Sequence, residues 1–168
     1  MALIDRRRFL ATTARAAGAG AMGTAWLSRR ASSQERDAKS VGLRLATFRF
    51  DVTPPMGHSL CGGWIKPVVG VDDPLEAIGF VLLGAGKQIV VCAVDWTGLL
   101  NEAHVAWRTA LAEAAATTID RVAIQCVHPH NAPFVCLESE RLVQAQKTLP
   151  HVFELDFFHR CLDTGRAA

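Results

Sequence analysis

The sequence predicts an α/β fold built on a mixed β-sheet with flanking helices. Three observations carry this. Apolar runs at 78–83 and 88–94 flank a glycine turn and read as a β-hairpin. A breaker-free stretch from about Glu102 to Ala116 has helical character, and a third apolar run, Arg121–Val127, follows it. A strand–helix–strand unit of that length makes its strands parallel, so antiparallel and parallel pairs meet in one sheet.

Residues 1–40 are set apart from this fold as an address and linker. They contain Asp5-Arg6-Arg7-Arg8-Phe9-Leu10 and then an Ala/Gly-rich stretch, Ala11–Leu27, interrupted by Arg15. The stretch is too polar and glycine-rich for a stable membrane span. An arginine pair before a Phe-Leu step resembles the twin-arginine export signature, and weak hydrophobicity suits that route. The resemblance implies the twin-arginine export machinery as a partner and a periplasmic or extracellular location. The alternative is a disordered basic tail. Cleavage is expected within Ala31–Lys39.

The first strand is expected at Leu43–Phe50, with Ala46, Phe48 and Phe50 on one face. Asp51-Val52-Thr53-Pro54-Pro55 ends it, because proline donates nothing to a ladder. A glycine-rich loop runs through Gly62-Gly63-Trp64, and Asp72-Asp73-Pro74 marks another turn. Asn101 is placed to cap the helix beginning at Glu102. Leu155, Phe158 and Leu162 have helical spacing, which starts a last helix near Leu155. Glu138-Ser139-Glu140-Arg141 reads as a solvated helix start.

Half of the chain is apolar and 20% is charged, which suits a globular protein rather than a disordered one. The net charge of +2 hides an uneven distribution. Residues 1–40 hold eight of the 18 Lys/Arg and three of the 16 Asp/Glu, which leaves ten basic and thirteen acidic residues beyond them. Without a basic excess or a basic–aromatic stripe there, no nucleic-acid partner is expected. The five cysteines form no CxxC pair. Cys92 and Cys126 sit in apolar runs as core residues, and a disulfide within the set is the alternative.

Parallel strands end on one edge of a sheet, where open α/β sheets bind ligands. One of these strands ends in Asp95-Trp96 and the other in His128-Pro129-His130-Asn131. In an extended chain, residues two apart point the same way. Pro129 pushes His128 toward the extended region, so both imidazoles are expected to face one cleft. Imidazole nitrogen is a good zinc ligand. Asp95 is either a further ligand or the partner that orients a ligating histidine. A bare His-x-His pair has a plainer reading, in which both rings bond loop carbonyls. His58 has some access to the cleft from the glycine-rich loop. His104 is expected exposed on its helix. His151 and His159 carry no functional expectation, and Trp96 and Trp107 are expected to pack in the core.

Five segments, in order over residues 43–135, resemble the neutral/alkaline (non-lysosomal) ceramidases and their bacterial relatives. They are Asp51-Val52-Thr53-Pro54-Pro55, Cys61-Gly62-Gly63-Trp64, Gly70-Val71-Asp72-Asp73-Pro74-Leu75-Glu76-Ala77, the apolar strand ending at Asp95, and Val127-His128-Pro129-His130-Asn131-Ala132-Pro133. The last is similar to the family's Thr-His-Thr-His-Ser-Gly-Pro. The resemblance implies a zinc-dependent amide hydrolase acting on a small-molecule or lipid amide. It implies one Zn2+ with His128 as a ligand, His130 as the oxyanion or proton-handling partner, and Gly63 close to the site. Val127, Pro129, Asn131, Ala132 and Trp64 depart from the family pattern, which keeps the histidines and changes the pocket wall.

The family's other ligands are a histidine, a glutamate and a tyrosine from later in the chain, and this sequence has no tyrosine. It stops within a helical pattern without a stop signal. Residues 41–168 are therefore expected to be the N-terminal part of an incomplete catalytic domain, inactive and weakly zinc-binding alone. The competing readings are a non-catalytic exported domain and a hydrolase of a non-ceramide amide or ester.

Overall fold

A computed structural model describes residues 42–84 and 86–168. The export signal and linker read from residues 1–40 lie outside the described residues. Strands β1 (Arg44–Asp51), β2 (Glu76–Leu83) and β3 (Ile89–Val94) form an antiparallel meander. Strand β4 (Gly98–Leu100) leads into helix α1 (Asn101–Ala114), which crosses over to β5 (Val122–Cys126), and β5 pairs parallel with β3. The sheet order is β1-β2-β3-β5, the mixed sheet that the hairpin and crossover predict. Strand β6 (Phe134–Cys136) then pairs parallel with β4, and helices α2 (Leu137–Ala145) and α3 (Leu155–Ala167) follow.

Register explains the core. Phe48 pairs with Gly79, Gly79 with Cys92, and Cys92 with Ile124, so these side chains share one face. One row along, Phe50, Ala77 and Val94 do the same. Helices α1 and α3 cover this face with Trp107, Leu111, Phe157, Phe158, Cys161 and Leu162. Trp107 lies 5.7 Å from the Phe50 ring and 5.2 Å from that of Trp96, and Trp96 lies 5.7 Å from Phe157. Each such aromatic contributes about 1.5–3 kcal/mol through burial. Trp96 also donates its indole N–H to the Val52 carbonyl at 3.0 Å, which pins the chain just after β1. The opposite face carries Leu45, Ile78 and Ile89, which stay exposed.

Two local expectations are corrected. Asn101 does not cap α1 with its side chain; it takes φ 48° as the first helical residue, a conformation asparagine tolerates better than most. The Glu138 carboxylate supplies the cap instead, accepting the Glu102 N–H at 3.2 Å. A carboxylate there also meets the positive end of the helix dipole. Glu140 is not solvated at a helix start but buried. It accepts bonds from His151 Nδ1 (2.5 Å), Val152 N (2.8 Å) and Gln144 Nε2 (3.0 Å), and so fixes the segment leading into α3.

Gly79 is required by contact. A Cβ there would sit 2.3 Å from the Phe48 ring and 2.5 Å from the Val91 carbonyl oxygen, and the backbone atom cannot give way. Gly79→Ala is expected to destabilise the protein by at least about 1–3 kcal/mol, read as a lower urea midpoint. Gly70→Ala, where a Cβ meets nothing within 4 Å, serves as the control and is expected to shift the midpoint little. Equal midpoints for the two variants would refute the packing of Gly79 between the Phe48 ring and the Val91 carbonyl.

Candidate active site

The site lies where the parallel strands end. Beyond β3 the chain continues through Asp95–Thr97 into β4, and beyond β5 it loops through 127–133 into β6. The two ladders keep these segments side by side. Val127 N donates to the Val94 carbonyl at 3.0 Å and His128 N to the Trp96 carbonyl at 3.1 Å. Thr97 N donates to the Pro133 carbonyl at 2.9 Å.

The rings of His128 and His130 converge, with centroids 5.2 Å apart and planes at 79°. They get there by a different route from the one expected. His128 is not extended; its φ is 67°, in the left-handed region. The residue before a proline normally avoids that region, so the surrounding bonds must hold it there. One of them comes from its own ring: Nδ1 donates to the Thr97 carbonyl at 2.5 Å. That bond fixes the tautomer and leaves the Nε2 lone pair free. The plain reading, that both rings bond loop carbonyls, thus holds for one nitrogen of His128.

Both rings line a cavity of about 380 Å³ with Cys61, Gly62, Trp64, Phe134 and Ser139. Phe134 stands on Gly98, where a Cβ would come within 2.8 Å of the ring. The 61–64 loop reaches the site through a left-handed turn: Cys61, Gly62 and Gly63 have φ of 48°, 66° and 87°. Glycine adopts such values without strain, which accounts for the Gly-Gly step. Cys61 N donates to the Ala132 carbonyl at 2.8 Å and ties this loop to the histidine loop. Gly62 lines the cavity, whereas Gly63 stands beside it, its would-be Cβ meeting only Ser59 Oγ at 3.8 Å. Ser139, read from sequence as part of a solvated helix start, faces the cavity; its position on α2 behind β6 gives no sequence signal.

Asp95 does not join the pair. It lines a separate groove of about 620 Å³ with Asn131, Thr53 and Pro74. Its Oδ2 accepts the Glu76 N–H at 3.0 Å and its own N–H donates to the Glu76 carbonyl at 3.0 Å, closing the end of the β2–β3 ladder. Among the described residues, no group of three or more His, Cys, Asp or Glu converges as a metal site. The donors brought together are two imidazoles, which suits part of a zinc coordination shell and not the whole of it.

The remaining histidines sort by contact. His104 is half-buried rather than exposed, with Nε2 3.4 Å from the Ile124 carbonyl. It lines a second cavity of about 380 Å³, which His128 also borders. His58 is sealed in the interior and does not face the cleft. Its Nδ1 donates to the Ser59 carbonyl at 2.6 Å, its Nε2 accepts the Glu154 N–H at 3.2 Å, and its ring meets Phe157 edge-on at 4.9 Å. All five cysteines are thiols. Burial pushes Cys92 and Cys161 up to about 12 and Cys126 to about 11, so none of these three is a ready nucleophile.

Comparison with known proteins gives a narrow result. No family model matches the chain, and no curated protein matches it. Among solved structures, the chain is similar to the neutral ceramidase from Pseudomonas aeruginosa, at 19% identity and a TM-score of 0.46 over 55% of this chain and 16% of that one. It is also similar to a ceramidase complexed with C2, at 18% identity and a TM-score of 0.42 over the same shares. The chain spans about a sixth of the length of these proteins. Among the described residues, no helix is long and apolar enough to cross a membrane.

The buried imidazole and carboxylate make stability pH-dependent. Burial holds His58 below the 6.5 of a free imidazole, against the pull of the Ser59 carbonyl and of Glu154 and Glu140. The unfolded chain therefore takes up a proton that the folded chain refuses. Stability present above pH 6.5 is lost as pH falls through the folded value. Glu140 acts lower. Burial raises it, but the bonds from His151, Val152, Gln144 and Phe153 outweigh burial and hold it below 4.5, so its contribution is lost in stronger acid. His58→Gln is expected to cost about 1–3 kcal/mol near neutral pH. It is also expected to flatten the fall in urea midpoint between about pH 7.5 and pH 5.5. An unchanged pH dependence in the variant would show that His58 is not the group responsible.

Proposed function

We propose that this chain contributes part of the active site of a zinc-dependent amide hydrolase of the neutral ceramidase type. One observation carries the reading: the His128 and His130 rings converge in one cavity, and the Nδ1 bond of His128 leaves its Nε2 free to ligate. The order of the five sequence segments that resemble the family supports it independently.

In this reading His128 holds the zinc, and the further ligands that a catalytic zinc requires come from outside the described residues. Bound zinc supplies Lewis-acid polarisation of the amide carbonyl and a bound water with pKa near 7. The chain's own residues do the rest. His130 donates a hydrogen bond to the developing oxyanion, or a proton to the leaving nitrogen. Trp64, Phe134 and Val152 give the cavity an apolar wall, which suits the acyl group of a small-molecule or lipid amide. Asp95 acts as a clamp on the rim of the sheet, through its bonds to Glu76. Gly62 and Gly63 together let the loop approach. The arginine pair and Phe9-Leu10 support export by the twin-arginine machinery to the periplasm or beyond.

A second reading, a non-catalytic exported domain, has its own observation, the absence of a third converging donor among the described residues. The two readings part on metal and turnover. In the product of the whole reading frame, about one zinc per chain is expected, with hydrolysis of members of a panel of N-acyl lipids and simple amides. His128→Ala is expected to lower zinc affinity by at least about tenfold and to abolish turnover. His130→Ala is expected to retain zinc and to lower kcat by about 10²–10⁴-fold. Zinc content and turnover that both survive His128→Ala would refute the enzyme reading.

A further inference from the structure

We propose that Thr97 is the positioning residue of this site: it holds His128 in its left-handed conformation and sets which ring nitrogen is presented. The inference rests on the hydrolase reading only for its consequence in metal binding; the geometry stands without it.

Thr97 is 3% exposed and faces the histidine loop with every polar atom it has. Its carbonyl accepts His128 Nδ1–H at 2.5 Å. Its N–H donates to the Pro133 carbonyl at 2.9 Å. Its hydroxyl lies 2.5 Å from the Pro129 carbonyl and 2.9 Å from the Ala132 carbonyl, and its one proton is shared between them. One residue between β3 and β4 thus grips the loop at 128, 129, 132 and 133.

The grip answers the question raised by the His128 backbone. A non-glycine residue at φ 67° before a proline relaxes toward the extended region unless it is over-determined. The Pro129 carbonyl belongs to the residue next to His128, so anchoring it restrains the His128–Pro129 link directly. Releasing it frees His128 to swing its ring off the Thr97 carbonyl. Nothing then selects the Nδ1–H tautomer, and Nε2 is no longer presented as a fixed lone pair. The sequence Trp96-Thr97-Gly98 carries no motif that announces this role.

The test uses substitutions that leave the Thr97 carbonyl and N–H in place. Thr97→Val removes only the hydroxyl, and Thr97→Ser restores it. Nitrogen-15 imidazole spectra at about pH 8 separate the two neutral tautomers. Wild-type His128 is expected as Nδ1–H. Thr97→Val is expected to shift it toward Nε2–H, and Thr97→Ser to return it. In the product of the whole reading frame, titrated with zinc alone, Thr97→Val is expected to bind about 10–100-fold more weakly and Thr97→Ser close to wild type. Thr97→Ala is expected to behave as Thr97→Val does and replaces it if the valine variant does not fold. A His128 that stays Nδ1–H, with unchanged zinc affinity, in the hydroxyl-less variants would overturn the proposal. A tautomer shift in a protein that takes up no zinc even as wild type would leave Thr97 as positioner and sink the metal reading instead.

Discussion

The parallel ladder between β3 and β5 is the constraint on which the site depends. It ends both strands at one rim and, through β4 and β6, carries them on as a second parallel pair. The Thr97 segment and the His128–His130 loop are therefore held side by side just beyond the rim. Everything at the site follows from that adjacency: the carbonyl that receives the His128 ring, the hydroxyl that holds the Pro129 and Ala132 carbonyls, and the Ala132 carbonyl that receives the 61–64 loop. Helix α1 closes the crossover, and its N-terminus is fastened by Glu138 of α2.

The motif residues divide into those that build the frame and those that face the cavity. Asp51 and Thr53 belong to the frame. Asp51 Oδ1 accepts the Thr53 N–H at 2.6 Å, and the Thr53 hydroxyl accepts the Leu75 N–H at 2.8 Å. Two segments more than twenty residues apart in sequence are thus stapled at the base of one groove. Asp95 belongs with them, its carboxylate spent on the Glu76 amide. His128, His130, Gly62 and Trp64 face the cavity. A shared order of motifs in sequence therefore says more about how the rim is assembled than about which residues touch a substrate.

The sheet was legible from periodicity because each strand buries one face and turns at glycine or proline. The hairpin, the crossover and the α3 helix all fall within a residue or two of their expected positions. Topology also brought the two imidazoles to the rim. What sequence could not supply were contacts made across long separations by residues with no special pattern. Thr97 carries no sequence signal, and Ser139 and Glu140 read as part of a solvated helix start. The local rules failed where tertiary bonds overrode them. Pro129 argued for an extended His128, and Thr97 holds it left-handed; Asn101 argued for a cap, and Glu138 supplies it. Asp95 departs from its expected place for a different reason. It ends the right strand at the right rim, but its side chain turns along the β2–β3 edge toward Glu76, and strand position alone does not give that direction.

Convergence of the two imidazoles is the claim that can be measured most directly, and ring-proton nuclear Overhauser effects on histidine-labelled protein measure it. With centroids 5.2 Å apart, a cross-peak between the His128 and His130 rings is expected. Well-resolved rings with no cross-peak between them, or with His130 seen only against solvent, would contradict a shared cavity and remove the basis for a metal-centred site.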